Sequence, residues 1–355
     1  MNDIVPFLRS LLDSPGLSGF ETVTSDLIAE KWRPLVDELT TSPLGSLHGL
    51  RKANASAKAP SIMIATHMDA IGLMVTKIKD GFLYITNIGG VDPRILPGQA
   101  VTIHGRREIA GIVQLVPDRL LDRQSAGNPP EFKTLFVETG LNESEIKRQV
   151  QPGDIISFAR KSFELEGGYV AGHSLDNRAS VAALTICLEE LKNINLAWDV
   201  WAVATVKEEL LGIGALTSAY AIRPDIAVSI DVTFAKGPGS NDYRSFPLGK
   251  GPSIGVGANI HPALYDSFTK IAREMDMPFG VETMPASSGT DSMMIQITAE
   301  GIPNMVLGIP IRYMHTSAEL VSVNDIYRAG RLLARFISQL TPESSNSLFE
   351  KFTHE

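Results

Sequence analysis

Val200-Trp201-Ala202-Val203-Ala204-Thr205-Val206, followed at once by Lys207-Glu208-Glu209, reads as a buried strand that ends in a pair of carboxylates. The arrangement recurs along the chain. Ile62-Met63-Ile64-Ala65-Thr66 closes on His67, and Ile226-Ala227-Val228-Ser229-Ile230 closes on Asp231. Asn304-Met305-Val306-Leu307-Gly308-Ile309 leads, one short turn later, to His315. Asp176 lies in Gly172-His173-Ser174-Leu175-Asp176-Asn177, just ahead of a helical pattern. In open α/β sheets the carboxyl ends of the strands border the ligand crevice. Two histidines and three carboxylates delivered there form a candidate two-metal site and point to hydrolysis.

Working outward, the runs alternate with helical patterns. Residues 177–193 place Val181, Leu184, Leu188 and Leu191 on one face, and 261–276 place Leu264, Phe268, Ile271 and Met275. Helices are also expected over 3–13, 21–33 and 209–221, the first two separated by the turn-rich Ser14-Pro15-Gly16-Leu17-Ser18-Gly19. Ser288-Gly289-Thr290-Asp291 and Ser322-Val323-Asn324-Asp325 share the Ser-x-x-Asp spacing of a helix start. This alternation predicts an α/β fold, with a mostly parallel mixed sheet covered by helices on both faces. From Gly72 to Glu166 the pattern changes. Phe82-Leu83-Tyr84-Ile85-Thr86, Ala100-Val101-Thr102-Ile103 and Ile109-Ala110-Gly111-Ile112-Val113 are short strands punctuated by Gly and Pro, and 117–133 is polar and turn-rich. The expectation is a catalytic domain built from 1–71 and 167–355, interrupted by a small β-domain at 72–166. Phe234 to Pro252, which includes Asn241, reads as a long exposed loop.

Bulk properties narrow the function. With 355 residues and a net charge of −8, and no basic cluster, the chain is not expected to bind nucleic acid or an anionic membrane surface. The single cysteine, Cys187, excludes an internal disulfide and a multi-cysteine zinc site, and is expected to be a buried, inert thiol. The N-terminal residues lack the pattern of a secretory signal, and no run approaches the ~18 apolar residues of a membrane span. A cytoplasmic protein is expected.

Imidazole with carboxylate suits zinc and its first-row neighbours, whereas carboxylates alone would suit magnesium or calcium. Three protein ligands per ion leave a position open for water. His67, Asp176, Glu209, Asp231 and His315 can serve two ions if one carboxylate is shared, and Asp176, on a tight turn, is the natural bridge. Charge then balances: two dications against Asp176, Glu209, Asp231 and a bridging hydroxide. Such a pair polarises a carbonyl and lowers the pKa of water from about 15.7 toward ~7. Glu208 is left free as general acid/base. Asp69, two residues past His67 and on the same side of an extended chain, is placed to orient the imidazole. Taken singly, each residue has a plainer reading: a helix N-cap at Asp176, a solvated first turn at Glu208-Glu209, an Asx turn at Asp231. Their shared position at strand ends argues against five coincidences. His173 reads equally well as a loop histidine, and His48, His104, His261 and His354 have no comparable setting.

Thr66-His67-Met68-Asp69-Ala70-Ile71-Gly72, Leu175-Asp176-Asn177-Arg178, Thr205-Val206-Lys207-Glu208-Glu209, Ile230-Asp231-Val232 and Arg312-Tyr313-Met314-His315-Thr316 occur in an order that resembles the glutamyl aminopeptidase or tetrahedral aminopeptidase family, family 42 of the metallopeptidases, some members of which carry an endoglucanase label. Gly16-Leu17-Ser18-Gly19-Phe20-Glu21 and Ser288-Gly289-Thr290-Asp291 add to the resemblance. It implies a di-zinc exopeptidase-like fold with an inserted PDZ-like β-barrel that dimerises, and an enzyme that removes N-terminal residues from peptides. It implies one ion on His67, Asp231 and Asp176 and the other on Glu209, His315 and Asp176, with zinc, cobalt or manganese as the metal. It also implies homo-oligomers, as dimers or tetrahedral dodecamers. Ala70, Lys207 and Leu210-Leu211-Gly212-Ile213-Gly214-Ala215 depart from the family pattern without removing a ligand. A related deacylase or carboxypeptidase is the nearest alternative. A glycosidase is disfavoured, because adjacent Glu208 and Glu209 do not suit two carboxyls facing each other roughly 5–9.5 Å apart across a bond. A non-catalytic peptide-binding protein would leave the full ligand set without a use.

Overall fold

Helix Leu175–Leu191 is buried along almost its whole circumference: its length is largely apolar, and the buried polar residues Asp176, Asn177 and Arg178 gather at its first turn. In the computed structural model, which describes residues 3–54, 58–120, 129–240 and 242–344, it packs against strands Ser61–His67 and Ile226–Phe234 on one side and helix Val323–Ser338 on the other. Asn241, His354 and the middle of the turn-rich stretch at 117–133 lie outside the described residues.

The large sheet runs in the order Glu38–Thr41, Leu47–Arg51, Asp199–Thr205, Ser61–His67, Ile226–Phe234, Asn304–Arg312, Glu319–Ser322, Tyr169–Gly172, Phe163–Leu165. Strands Asp199–Thr205, Ser61–His67, Ile226–Phe234 and Asn304–Arg312 pair in parallel. The flanking pairs are antiparallel. Parallel geometry is therefore confined mainly to the centre, and the sheet as a whole is mixed rather than mostly parallel. For the hairpin neighbours the physical reason is connection length. The central strands are joined by helical crossovers, whereas neighbours such as Glu38–Thr41 and Leu47–Arg51 are joined by turns too short to reverse direction twice.

Alternate residues of the central strands serve opposite layers. Ile62, Ile64, Val228 and Ile230 join the core formed with helices Leu175–Leu191, Pro262–Glu274 and Val323–Ser338. Met63, Ala65, Val203 and Ala227 face helices Ile213–Ile222 and Ser292–Gln296. Helices thus cover both faces.

Strands Gly72–Lys79, Phe82–Ile88, Leu135–Glu138, Glu108–Leu115, Ala100–His104 and Ile155–Phe158 close a barrel in that order. It has its own apolar core, centred on Leu83, Val101, Ile103, Val113, Val137 and Ile156. The large sheet resumes at Phe163, slightly ahead of the expected junction at 166.

Two expected helix starts differ in detail. The helix expected from Ser288 begins only at Ser292 and without a side-chain cap; Asp291 accepts a hydrogen bond from Thr205 Oγ1 at 2.5 Å. Helix Val323–Ser338 begins after Ser322 as expected, but Asp325 accepts from the Gly249 and Gly251 N–H groups at 2.6 and 2.7 Å, tying down the end of the distant loop 234–252. Among the described residues no helix is long and apolar enough to cross a membrane.

Candidate metal centre

His67 is the last residue of its strand, and Asp231 lies near the carboxyl end of the adjacent parallel strand. Both are almost wholly buried. Asp176 sits where helix Leu175–Leu191 departs from helical geometry, so its side chain turns to the strand ends instead of capping the helix. His67 Nε2 lies 3.1 Å from Asp176 Oδ1 and 3.7 Å from Asp231 Oδ1. His315 Nε2 lies 3.2 Å from Asp176 Oδ2 and 3.4 Å from Glu209 Oε1. The two oxygens of Asp176 are thus divided between two triads, His67–Asp176–Asp231 and Asp176–Glu209–His315, each with donor atoms within 4.8 Å of one another. All five expected ligands converge.

The chemistry of the donor set fits cations. Asp176, Asp231, Glu208 and Glu209 crowd one buried pocket with only two imidazoles to balance them. Uncompensated buried charge is expensive, and here protons are what relieve it. Burial opposes a charged His67, yet Glu208, Asp176, Asp231 and Asp69 outweigh that and raise its pKa well above the usual value. Hydrogen bonds to Asp176 and Glu209 push His315 up to about 11. Burial, reinforced by Asp231, Asp291 and Glu209, pushes Glu208 up to about 9 against the opposing pull of His67. Divalent cations would take the place of these protons.

Glu208 Oε2 is 3.9 Å from His67 Nε2 and lines the same cavity, of about 490 Å³, as the five ligands. Lys207 precedes it in left-handed backbone conformation, which turns the chain sharply from strand Asp199–Thr205 into the short helix Glu208–Leu211. Asp69 stands beside the His67 ring and has further partners. Its backbone carbonyl, 3.2 Å from His67 Nδ1, is nearer the ring than its carboxylate at 3.6 Å. The carboxylate also accepts from Ser18 Oγ at 2.5 Å and from the Glu208 and Glu209 N–H groups at 3.0 and 3.2 Å. It anchors the glutamate pair at the start of its helix, where a negative charge is favoured.

Several supporting residues gave no sequence signal. Glu319, fully buried, accepts from the His315 N–H at 2.9 Å and the Asp176 N–H at 3.1 Å, so one carboxylate fixes the backbone of two candidate ligands from distant elements. Gly90, in a barrel turn, receives a hydrogen bond from His315 Nδ1 at 3.1 Å, so that Nε2, which faces the carboxylates, is the nitrogen that would bind a metal in place of its proton. A Cβ on Gly90 would stand 2.7 Å from His315 Nδ1. The turn-rich Ser14–Gly19 segment is also a support. Arg178, buried under it, donates to the carbonyls of Leu11, Ser14, Gly16 and Met68. His173 is not brought to the ligands. It is buried with Nε2 3.1 Å from the Ile71 carbonyl and Nδ1 3.2 Å from that of Thr316, and burial lowers its pKa to about 4. His48 and His104 pair with Ser218 and Ser157.

A mixed α/β sheet that presents paired histidines and shared carboxylates at its strand ends is the frame of a metallohydrolase. The chain belongs to the M42 glutamyl aminopeptidase family, which it matches over residues 45–332, and is a peptidase. It is 33% identical to the lysyl aminopeptidase of Pyrococcus furiosus, over 94% of this chain and 97% of that protein. An aminopeptidase from the archaeon Desulfurococcus kamchatkensis superposes with a TM-score of 0.90 at 34% identity, covering 98% of this chain and 97% of that one. The TET1 peptidase of Pyrococcus horikoshii, described as assembling into a tetrahedron or a large octahedral shell, gives a TM-score of 0.83 at 25% identity, covering 95% of this chain and all 100% of that one.

Proposed function

We propose that this protein is an aminopeptidase that holds two divalent metal ions, one among His67, Asp176 and Asp231 and one among Asp176, Glu209 and His315. The observation that carries the reading is the split of Asp176, with Oδ1 turned to His67 and Oδ2 to His315. Nitrogen and oxygen donors favour zinc, with cobalt or manganese as alternatives. When bound, the ions polarise the scissile carbonyl and lower the pKa of the attacking water from about 15.7 toward ~7.

The remaining work falls to side chains of this chain. Glu208, beside the ligands but outside both triads, takes the proton from the attacking water and returns it to the leaving amine. A buried carboxyl with a raised proton affinity suits both halves of that transfer. Asp69 and Glu319 keep the ligand backbone in place without touching substrate.

The separate core of the barrel and the assembly described for the Pyrococcus horikoshii relative support a homo-oligomer, with the inserted β-domain at 72–166 as the dimerisation unit and dimers or a tetrahedral dodecamer as the product. A cytoplasmic location and peptide substrates complete the reading.

The test is elemental analysis of purified protein, with hydrolysis of aminoacyl p-nitroanilides before and after chelation. The expected result is about two metals per chain and chelator-sensitive cleavage restored by zinc or cobalt. Metal without cleavage of any free-amine substrate would transfer the reading to a deacylase or carboxypeptidase. Absence of metal after reconstitution would end it.

A further inference from the structure

The cavity beyond the ligands is lined by Leu211, Val232, Phe234, Met293 and Met294, and by a further carboxylate, Glu282. Glu282 lies on strand Gly280–Met284, which pairs with Ser253–Gly257 at the margin of the large sheet. Its Oε1 accepts from Thr233 Oγ1 at 2.7 Å and its Oε2 from Ser253 Oγ at 2.5 Å. The neighbouring strand makes room for this arrangement. Gly308 is in register with Asp231, and a Cβ there would stand 2.3 Å from Ser253 Oγ and 2.9 Å from Glu282 Oε2. The carboxylate is therefore held in a shaped cradle.

Two hydroxyl donors orient a carboxylate without neutralising it, and an ionised carboxylate offers about four acceptor sites. Among the described residues no Lys, Arg or His comes within ion-pair distance of Glu282. Burial raises its pKa, a cost that an incoming cation relieves.

Position decides which cation. Thr233 follows Asp231 by two residues, so Glu282 is anchored on the same side of the strand, about 7 Å further along. The α-ammonium of a substrate lies only two bonds, about 2.5 Å, from the carbonyl carbon, whereas a lysine ammonium reaches about 6 Å from its Cα. The longer reach matches. Apolar walls at Leu211, Phe234 and Met293 suit the methylenes of such a chain, with the charge at its tip.

We propose that Glu282 closes the pocket for the side chain of the substrate's first residue and selects a basic residue, lysine or arginine. The inference rests on the aminopeptidase reading above and assigns its substrate class. An acidic first residue would meet a like charge at the same place.

The experiment measures kcat/KM of the metal-loaded full chain for lysyl, arginyl, leucyl and glutamyl p-nitroanilides, in the wild type and in Glu282→Gln. The expected wild-type order places lysyl and arginyl at least about tenfold above glutamyl. Glu282→Gln is expected to lower the lysyl-to-leucyl ratio by about tenfold or more, and Glu282→Lys to raise glutamyl relative to lysyl cleavage. An unchanged ratio overturns the proposal. So does an equal loss on every substrate, which would place Glu282 on the α-ammonium or in the framework. Wild-type protein that cleaves no anilide fails the aminopeptidase reading instead. Calorimetric binding of lysinamide against leucinamide then reads the pocket alone: a lysinamide preference lost in Glu282→Gln upholds it, and equal binding overturns it.

Discussion

At the scale of single residues, the proposed function separates holding from reacting. Asp176 and His315 share a candidate ligand triad, and Glu319 accepts from the backbone N–H of both, while Glu208 stands in the same cavity without a place in either triad. Glu208→Gln keeps the shape and removes the proton carrier. It is expected to lower kcat by at least about 10²-fold with metal content unchanged. Elemental analysis alongside kinetics checks both halves, and full activity in the variant would sink the assigned role. His173 supplies a pH effect. Burial holds its folded pKa near 4, below the ordinary 6.5, so between those values the unfolded chain binds the extra proton. Stability therefore falls as pH drops from 6.5 toward 4, by up to about 3 kcal/mol from this group. Urea titrations of wild type and His173→Gln across that interval are expected to differ in slope, with the variant less acid-sensitive.

At the scale of elements, the site depends on pieces that carry no ligand. Helix Glu208–Leu211 is too short to be stable alone, and Asp69 fixes its first N–H groups from another strand end. The barrel turn at Gly89 and Gly90 reaches the second triad. Gly90→Ala would press a methyl against His315, whose ring is partly exposed and can yield. The expected result is a roughly tenfold weaker affinity at the His315 site, with the His67 site retained. Competitive chelator titration, read as metal retained per chain, checks this; equal weakening of both sites would contradict the division into triads.

At the scale of the whole molecule, the buried carboxylates make folding and cation binding one problem. Free ion at about 100 times its Kd adds roughly 2.7 kcal/mol per site. Removal of metal by chelation is therefore expected to lower Tm by about 5 °C or more, and zinc to restore it. A thermal scan that is indifferent to chelation would mean that the acids are balanced in another way. The barrel and the large sheet have separate apolar cores, so each can be understood on its own terms. Their meeting at Gly90 and His315 nevertheless joins the inserted unit to the chemistry.

The sequence by itself determined the strand ends and what they carry. A strand of period two, buried on both faces, must be a continuous apolar run, and a polar residue at its end has only the crevice to enter. His67, Asp231 and the Glu208-Glu209 pair were legible for that reason, as was the change of pattern at Gly72. Only the tertiary structure decided how those ends meet. It divides the oxygens of Asp176 between two histidines, spreads the Asp69 carboxylate over the imidazole and the glutamate backbone, and places Glu319, Gly90 and Glu282 around the site. These residues act through hydrogen bonds and close approach between segments far apart in the chain. Neither periodicity nor local spacing encodes such contacts, because both describe only neighbours along one element.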